Sequence, residues 1–289
     1  MQHASASPPP VFVGGTGRSG TTIVGQLIGA SEAYALVPIE LRFHVDAGGL
    51  CDLARGEVGL DRFETSMLKK WYVRPPNRGG PRGVHVIIDR PEFEDSLARL
   101  RAHHADDPWK AAGTFLDDVI QPLRRSQDAS AWVEMTPPNA KVMHVLAPML
   151  PTARFVNMVR DGRDVASSVV RRTWGPNDMP SAITWWGDQM TVINRSAGQV
   201  EPSRLLTLRL ESLVGPQREL AYGQLTEFLG LQDDVPMRAF FESSMNEQMS
   251  HPGRWREELD AATQERVEEL YAEQLARLEA AGTPLQPVL

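Results

Sequence analysis

Short apolar runs that end in glycine or proline alternate along the chain with longer stretches whose apolar residues recur at helical spacing. The first run is PVFVGG, residues 10–15, and it is followed by TTIVGQLIGAS, where Ile23, Leu27 and Ile28 share one side of a helix. Comparable runs predict strands at VHVIID (84–89), AWVEMT (131–136, stopped by Pro137), ARFVNMVR (153–160) and RLLTLRL (204–210). Amphipathic stretches between them predict helices in EFEDSLARLRAHH, PWKAAGTFLDDVIQPLRR, NAKVMHVLAPML, DGRDVASSVVRR and SAITWWGDQMTVINRSAGQ. Two more close on glycine: PQRELAYGQLTEFLG at Gly230 and REELDAATQERVEELYAEQLARLEAAG at Gly282. LVPIELRFHV (36–45) has no decisive period, and residues 46–90 are rich in Gly, Pro and Arg, with WYVRPPNRGGPRG the clearest loop or lid.

Strands that alternate with helices build a parallel sheet wrapped by helices. The expected fold is α/β, a three-layer P-loop-like arrangement whose central sheet has about four to five strands flanked by helices. Residues 1–9 are expected to form a flexible tail, and 10–289 a single domain with a loop-rich and helical insertion at about 46–130.

Composition narrows the chemistry. The chain has 289 residues, 42% hydrophobic and 23% charged, with a formal net charge of -7, which argues against broad nucleic-acid binding. An anionic ligand must then be met by a local arrangement, and Arg160, Arg163, Arg171 and Arg172 fall within 13 residues. Arg171 and Arg172 fit a solvated helix face equally well. No apolar stretch approaches the ~20 residues a membrane helix needs, and MQHASASPPP lacks the order of a secretion signal, so a soluble, cytoplasmic protein is expected. Cys51, the only cysteine, allows no intrachain disulfide and is expected as a small buried hydrophobe.

The candidate chemistry starts at GGTGRSGTT. Gly15 through Gly20 fit the frame G-x-x-x-x-G of a phosphate loop, but Thr21 stands where the lysine of that loop belongs. Backbone N–H groups after a strand, with a helix N-terminus behind them, recognise any tetrahedral oxyanion. Without the lysine, and with Arg18 inside the loop, the ligand should carry one phosphate and a group less charged than a terminal phosphate. A second element, FVNMVRDGRDVASSVV, delivers Arg160 to the carboxyl edge of its strand, with Ser167 and Ser168 on the next helix. Two anion sites on one edge imply a nucleotide phosphorylated at two positions.

These residues resemble the sulfotransferases that use 3′-phosphoadenosine 5′-phosphosulfate (PAPS) and release adenosine 3′,5′-bisphosphate (PAP). GGTGRSGTT is similar to their 5′-phosphosulfate loop and VRDGRDVASS to their 3′-phosphate motif, nearest to the tyrosylprotein-type and related bacterial branch. The likeness runs through EMTPPNAKVMHVLAPMLPTARF, the tryptophan-bearing helix and LTLRLESLVGPQRELAYGQLTEFLG. It implies that Gly17, Arg18, Ser19, Gly20, Thr21 and Thr22 hold the 5′-phosphosulfate, with Arg18 over the bridging oxygen. It implies Arg160 and Ser168 at the 3′-phosphate, and Arg254, in HPGRWRE, in a late loop that closes over it. Glu40, in VPIELRF, matches the branch's catalytic base, with His44 the next candidate. Arg42 is an alternative, structural partner for Glu40.

The sequence departs from the family twice: Met135 stands where many relatives place a lysine, with Lys141 nearby, and Leu210 precedes Glu211 where the tyrosylprotein branch has tyrosine. The expected reaction is metal-free sulfuryl transfer to a hydroxyl of a small-molecule, natural-product or carbohydrate acceptor, with no nucleic acid or membrane partner. Two other readings compete. Asp89, ending VHVIID, would suit a Walker B magnesium site of a P-loop kinase, and a non-catalytic nucleotide sensor would need only the loop. Trp174, Trp185 and Trp186 fit either packing or stacking on adenine or acceptor. His103 and His104 are expected on an exposed helix.

Overall fold

Val11 and Val13 face one side of a buried strand and Phe12 the other, and this strand, β1 (Val11–Gly15), is the middle of the protein. The structure, a computed structural model, describes residues 8–77, 80–231, 234–246 and 252–282; most of the expected tail, residues 1–7, lies outside them. From β1 the chain runs through α1 (Thr21–Ile28) to β2 (Tyr34–Leu36). Then come α2 (Leu50–Ala54), α3 (Leu60–Ser66) with a wide helical turn at Met67–Trp71, and a hairpin of β3 (Arg74–Asn77) and β4 (Gly80–Arg82). α4 (Arg90–His104) and α5 (Pro108–Ser126) lead to β5 (Ala131–Glu134), α6 (Met143–Met149), β6 (Arg154–Val159), α7 (Gly162–Val169) and α8 (Met179–Ala197). β7 (Leu205–Arg209), α9 (Leu210–Val214), α10 (Arg218–Leu229), α11 (Val235–Ser244), α12 (Arg254–Glu257) and α13 (Ala261–Ala280) complete the order.

β2, β5, β1, β6 and β7 lie side by side in that order, all parallel. β1 leaves through α1 toward one edge and β6 leaves through α7 and α8 toward the other. Their carboxyl ends are neighbours, Gly15 opposite Met158, so a crevice opens between them, which is where open α/β sheets bind ligands. Both faces are covered. Phe12, Trp132 and Phe155 pack under α2, α4, α5 and α6, with Phe12 stacked on Phe155 at 5.6 Å and edge-on to Trp132 at 5.1 Å. Val11, Val13, Val156 and Met158 pack under α1, α10 and α11. Cys51 is buried on α2, 2% exposed.

Three expectations are corrected. VHVIID forms a helical turn at Val84–Val86, not a strand: Val84, Ile87 and Ile88 are its buried positions, spaced i, i+3, i+4, and Gly83 enters with φ 108. Asp89 is therefore no strand-end acid; it caps α4 by accepting from Glu92 N at 2.9 Å, and the magnesium-site reading loses its residue. The terminal helix is broken before Asp260, which caps α13 through Thr263 N at 2.9 Å.

Candidate active site

The loop after β1 is built from left-handed backbone. Gly17 has φ 82, Arg18 φ 60 and Gly20 φ 92, and an arginine in that region costs about 1–2 kcal/mol, the kind of strain that gathers at functional sites. The amides from Gly17 to Ile23 donate to no carbonyl among the described residues, so they are donors left available beside the start of α1. Ser19 is fully buried and, among the described residues, its Oγ has no hydrogen-bond partner. Thr21 is 4% exposed, while Thr22 reaches solvent. Beneath the loop lies Leu210: a Cβ on Gly20 would stand 2.8 Å from Leu210 Cδ1.

The second sequence element closes on this loop. Arg18 Nε donates to Ser168 Oγ at 2.8 Å, and Arg160 Nη1 donates to the Arg18 carbonyl at 3.0 Å. Burial first, then Arg172 and Arg160, holds the Arg18 guanidinium below its ordinary value, so three cations share one neighbourhood. Arg172 thus lies within electrostatic reach of the loop, which its place at the end of the helix in the sequence did not reveal. Arg171 does not: it donates to Ser167 Oγ and Glu258 at 2.9 Å each. Arg254 is brought to α7 through the same carboxylate, donating to Glu258 at 3.0 Å, and Gly253 N anchors its loop on Asp164 at 3.1 Å. His251 lies outside the described residues. Arg163 pairs with Asp161 and Glu268 at 2.6 Å, a fixture of α7 and α13. Asp161 N donates to Glu211 at 2.8 Å, tying the end of β6 to that of β7.

Glu40 sits on the loop after β2, at the same sheet edge. Phe43 N donates to the Leu41 carbonyl at 2.6 Å around Arg42, whose φ is 60, a strained three-residue turn beside Glu40. The Glu40 side chain is 44% exposed and meets Arg42 at 3.4 Å, while Arg42 also holds Asp46 at 2.9 Å. Burial raises the Glu40 carboxyl above its ordinary value, against the pull of Arg42 and with help from Glu134.

His44 is elsewhere in character. Its ring is fully buried against Phe12, with Nε2 at 2.7 Å from Asn139 Oδ1 and 3.4 Å from Glu134. Glu134, also fully buried, accepts from Asn139 Nδ2 at 2.6 Å, from Thr136 N at 3.0 Å and from Leu41 N at 3.3 Å. Burial would raise this carboxyl, but His44 and the hydrogen bonds of Thr136 and Asn139 together hold it below its ordinary value. Asn139 also donates to the Val13 carbonyl at 3.1 Å. The network ties the Glu40 loop to β5 and β1. Its one trace in the sequence is the acid at the end of AWVE.

Met135 is 8% exposed and fills the notch over α1, where a Cβ on Gly25 would lie 2.9 Å from its own Cβ. Lys141 donates to Gln189 on α8, its ammonium held below its ordinary value by burial and by Arg42. Trp186 is core, packed on Gly162 and 5.2 Å from Tyr271. Trp174 is 58% exposed, 6.1 Å from Trp185, and would lie 3.8 Å from a Cβ on Gly17, so it stands at the rim of the glycine loop. His103 is exposed and His104 half-buried in the last turn of α4.

A local array of amides, guanidiniums and hydroxyls of this kind can hold tetrahedral oxyanions and stabilise charge that grows on one of them. The sequence matches the Sulfotransferase family model (Sulfotransfer_3) over residues 9–236. The fold is similar to the "Sulfotransferase Domain from the Curacin Biosynthetic Pathway", with a TM-score of 0.53 at 15% identity over 92% of this chain and 98% of that one. It is also similar to the "Sulfotransferase Domain from the Synechococcus PCC 7002 Olefin Synthase", with a TM-score of 0.52 at 17% identity over 94% of this chain and 97% of that one. No curated protein matches the sequence. No helix among the described residues is long and apolar enough to cross a membrane.

Proposed function

The chain belongs to the sulfotransferase family, and from that premise we propose that it moves the sulfuryl group of PAPS to a hydroxyl of a small-molecule, natural-product or carbohydrate acceptor, releasing PAP. The observation that carries this reading is the bond of Arg18 to Ser168 with the return bond of Arg160 to the Arg18 carbonyl. It joins a lysine-free glycine loop to an arginine and a serine from the next strand and helix, the donor set a nucleotide with phosphates at two positions needs. The donors present fit such a ligand: free amides from Gly17 onward, an unpartnered buried Ser19 hydroxyl, and a cation cluster.

In this reading the amides of Gly17 to Thr22 and the Thr21 and Thr22 hydroxyls hold the 5′-phosphosulfate, and Arg18 faces the bridging oxygen. Arg160 and Ser168 hold the 3′-phosphate, with Arg172 adding charge and Arg254 closing from α12. The acceptor oxygen forms the new S–O bond as the bond from sulfur to the 5′-phosphate oxygen breaks. The acceptor's proton passes to Glu40, and the negative charge left on the 5′-phosphate meets Arg18 and the amides. Glu40 is preferred to His44 as base because its carboxyl reaches solvent and burial raises it above its ordinary value, whereas the His44 ring is enclosed.

Two measurements test the proposal. PAP without Mg²⁺ should stabilise the fold in a thermal melt more than ATP with Mg²⁺ does, and labelled sulfate should pass from PAPS to members of a hydroxyl panel. Stabilisation by ATP with Mg²⁺ and not by PAP would falsify it.

A further inference from the structure

Arg74 and Arg82 face each other as Cα partners across the β3–β4 hairpin. Like charges set opposite on a two-stranded ribbon repel, and a ribbon this short has little stability of its own. Among the described residues neither arginine forms an ion pair, although Arg55, Arg99, Arg101, Arg163 and Arg238 each hold a carboxylate at 2.8 Å or less. Arg74 is fixed in place, its guanidinium 4.7 Å over the ring of Trp71, a side chain only 2% exposed.

The hairpin lies within electrostatic reach of Glu40. After burial, the groups that act most on Arg74 are Arg82 and Arg42, then Asp46 and Glu40, and Glu40 in turn feels Arg82. Lys141 feels Arg42 and Asp46, and among the described residues its hydrogen-bond partner is the neutral Gln189. Arg42, Arg74, Arg82 and Lys141 therefore each lie within electrostatic reach of Glu40 or Asp46, a local excess of positive charge on a chain whose net charge is -7. Glu134, the remaining acid that acts on Glu40, is enclosed and spends its oxygens on Asn139, Thr136 and Leu41 N. The nucleotide has its own cations: Arg18 responds to Arg172 and Arg160, a group that shares no member with the one around Arg74.

We infer that the acceptor is itself an anion, a hydroxyl compound whose carboxylate, sulfate or phosphate group is bound by Arg74 and Arg82 while its hydroxyl meets Glu40. The inference rests on the sulfotransferase reading above and names the acceptor class for the same site. The hairpin tolerates its internal repulsion because the bound anion relieves it.

Isothermal titration of PAP comes first, and then titration of the PAP-saturated protein with matched probes. These are 4-hydroxyphenylacetate and its amide, methyl glucuronoside and its amide, and glucose 6-phosphate against glucose; the carboxylate and phosphate arms tell which acid group is preferred. At least one acid should bind at least about tenfold tighter than its neutral match, the scale of one charge-assisted contact. Arg74→Gln with Arg82→Gln should abolish that preference and leave the PAP dissociation constant within about twofold, while Arg74→Lys with Arg82→Lys, which keeps the charge, should retain part of it. Equal affinity for acid and neutral probes, no detectable binding of any acid, or a preference that survives the glutamine variants overturns the inference and leaves the donor assignment standing. Failure of PAP to bind removes both.

Discussion

Arg18 and Ser168, 150 residues apart, are joined by a 2.8 Å hydrogen bond from Nε to Oγ, and Arg160 clamps the same loop by its carbonyl. The glycine loop, the end of β6 and the first turns of α7 are thereby one donor surface before any ligand arrives. Such preorganisation favours a ligand that spans all three, because Arg18, Arg160 and Ser168 are already held in place.

Arg18 separates binding from stability. At φ 60 the arginine is strained, and Arg160 and Arg172 repel it. Arg18→Gly should raise the melting temperature, since glycine removes about 1 kcal/mol of left-handed strain. The same change should weaken PAP by about 10- to 100-fold, the worth of a charge-assisted fork to phosphate. Thermal melts and titration calorimetry on the one variant check both directions; a variant that melts higher and binds PAP as tightly as the parent would remove Arg18 from the nucleotide site.

Glu40 should control the reaction and not the nucleotide. Glu40→Gln is expected to lower kcat by about 10²–10⁴ and leave the PAP dissociation constant within about twofold. A base works as the anion, and burial raises the Glu40 carboxyl above 4.5. The rate should therefore climb with pH through an acid limb that lies above the ordinary carboxylate range, and the glutamine variant should lack that limb. A pH profile of kcat/KM on both proteins decides it.

Glu134 should carry stability on the acid side. Its folded pKa lies below the unfolded value of 4.5, so its contribution is complete above that value and fades as pH falls through the lower, folded pKa. Glu134→Gln leaves His44, Asn139 and the Leu41 amide without their carboxylate and should cost about 3–5 kcal/mol at pH 7. Its loss of stability relative to the parent should shrink below pH 4, as urea melts across that range would show. The kcat of the variant should also fall, because Leu41 N anchors the residue after Glu40.

Much of this fold was legible because its signals are local. A buried parallel strand is an uninterrupted apolar run, as in ARFVNMVR, and four of the sheet's five strands lie in runs the alternation singled out, while the fifth, Tyr34–Leu36, is too short to stand out as one. VHVIID misled because Val84, Ile87 and Ile88 satisfy a helical period as well as they satisfy apolar density, and only the packing decides between them. The meeting of Arg18 with Ser168 and Arg160 follows from two motifs that each end a strand of the same sheet. What the sequence hid is set by long-range burial: His44 looks like any loop imidazole until Asn139 and Glu134 enclose it, and Arg74 and Arg82 are ordinary loop arginines until the hairpin sets them opposite each other.

Gly20 and Gly17 should respond differently to the same substitution, and Leu210 is the reason. Both have positive φ, 92 and 82, so Ala at either position carries a left-handed cost of about 1–2 kcal/mol. At Gly17 the new methyl would meet only Trp174 at 3.8 Å, whereas at Gly20 it would press on Leu210 Cδ1 at 2.8 Å, inside the core under α1. Gly20→Ala should therefore destabilise more than Gly17→Ala. Leu210→Ala alone opens a cavity and should cost about 2–5 kcal/mol, but in its presence Gly20→Ala should cost only the backbone share. Denaturant melts of the four proteins close the cycle. Strict additivity would mean that Leu210 does not hold the loop.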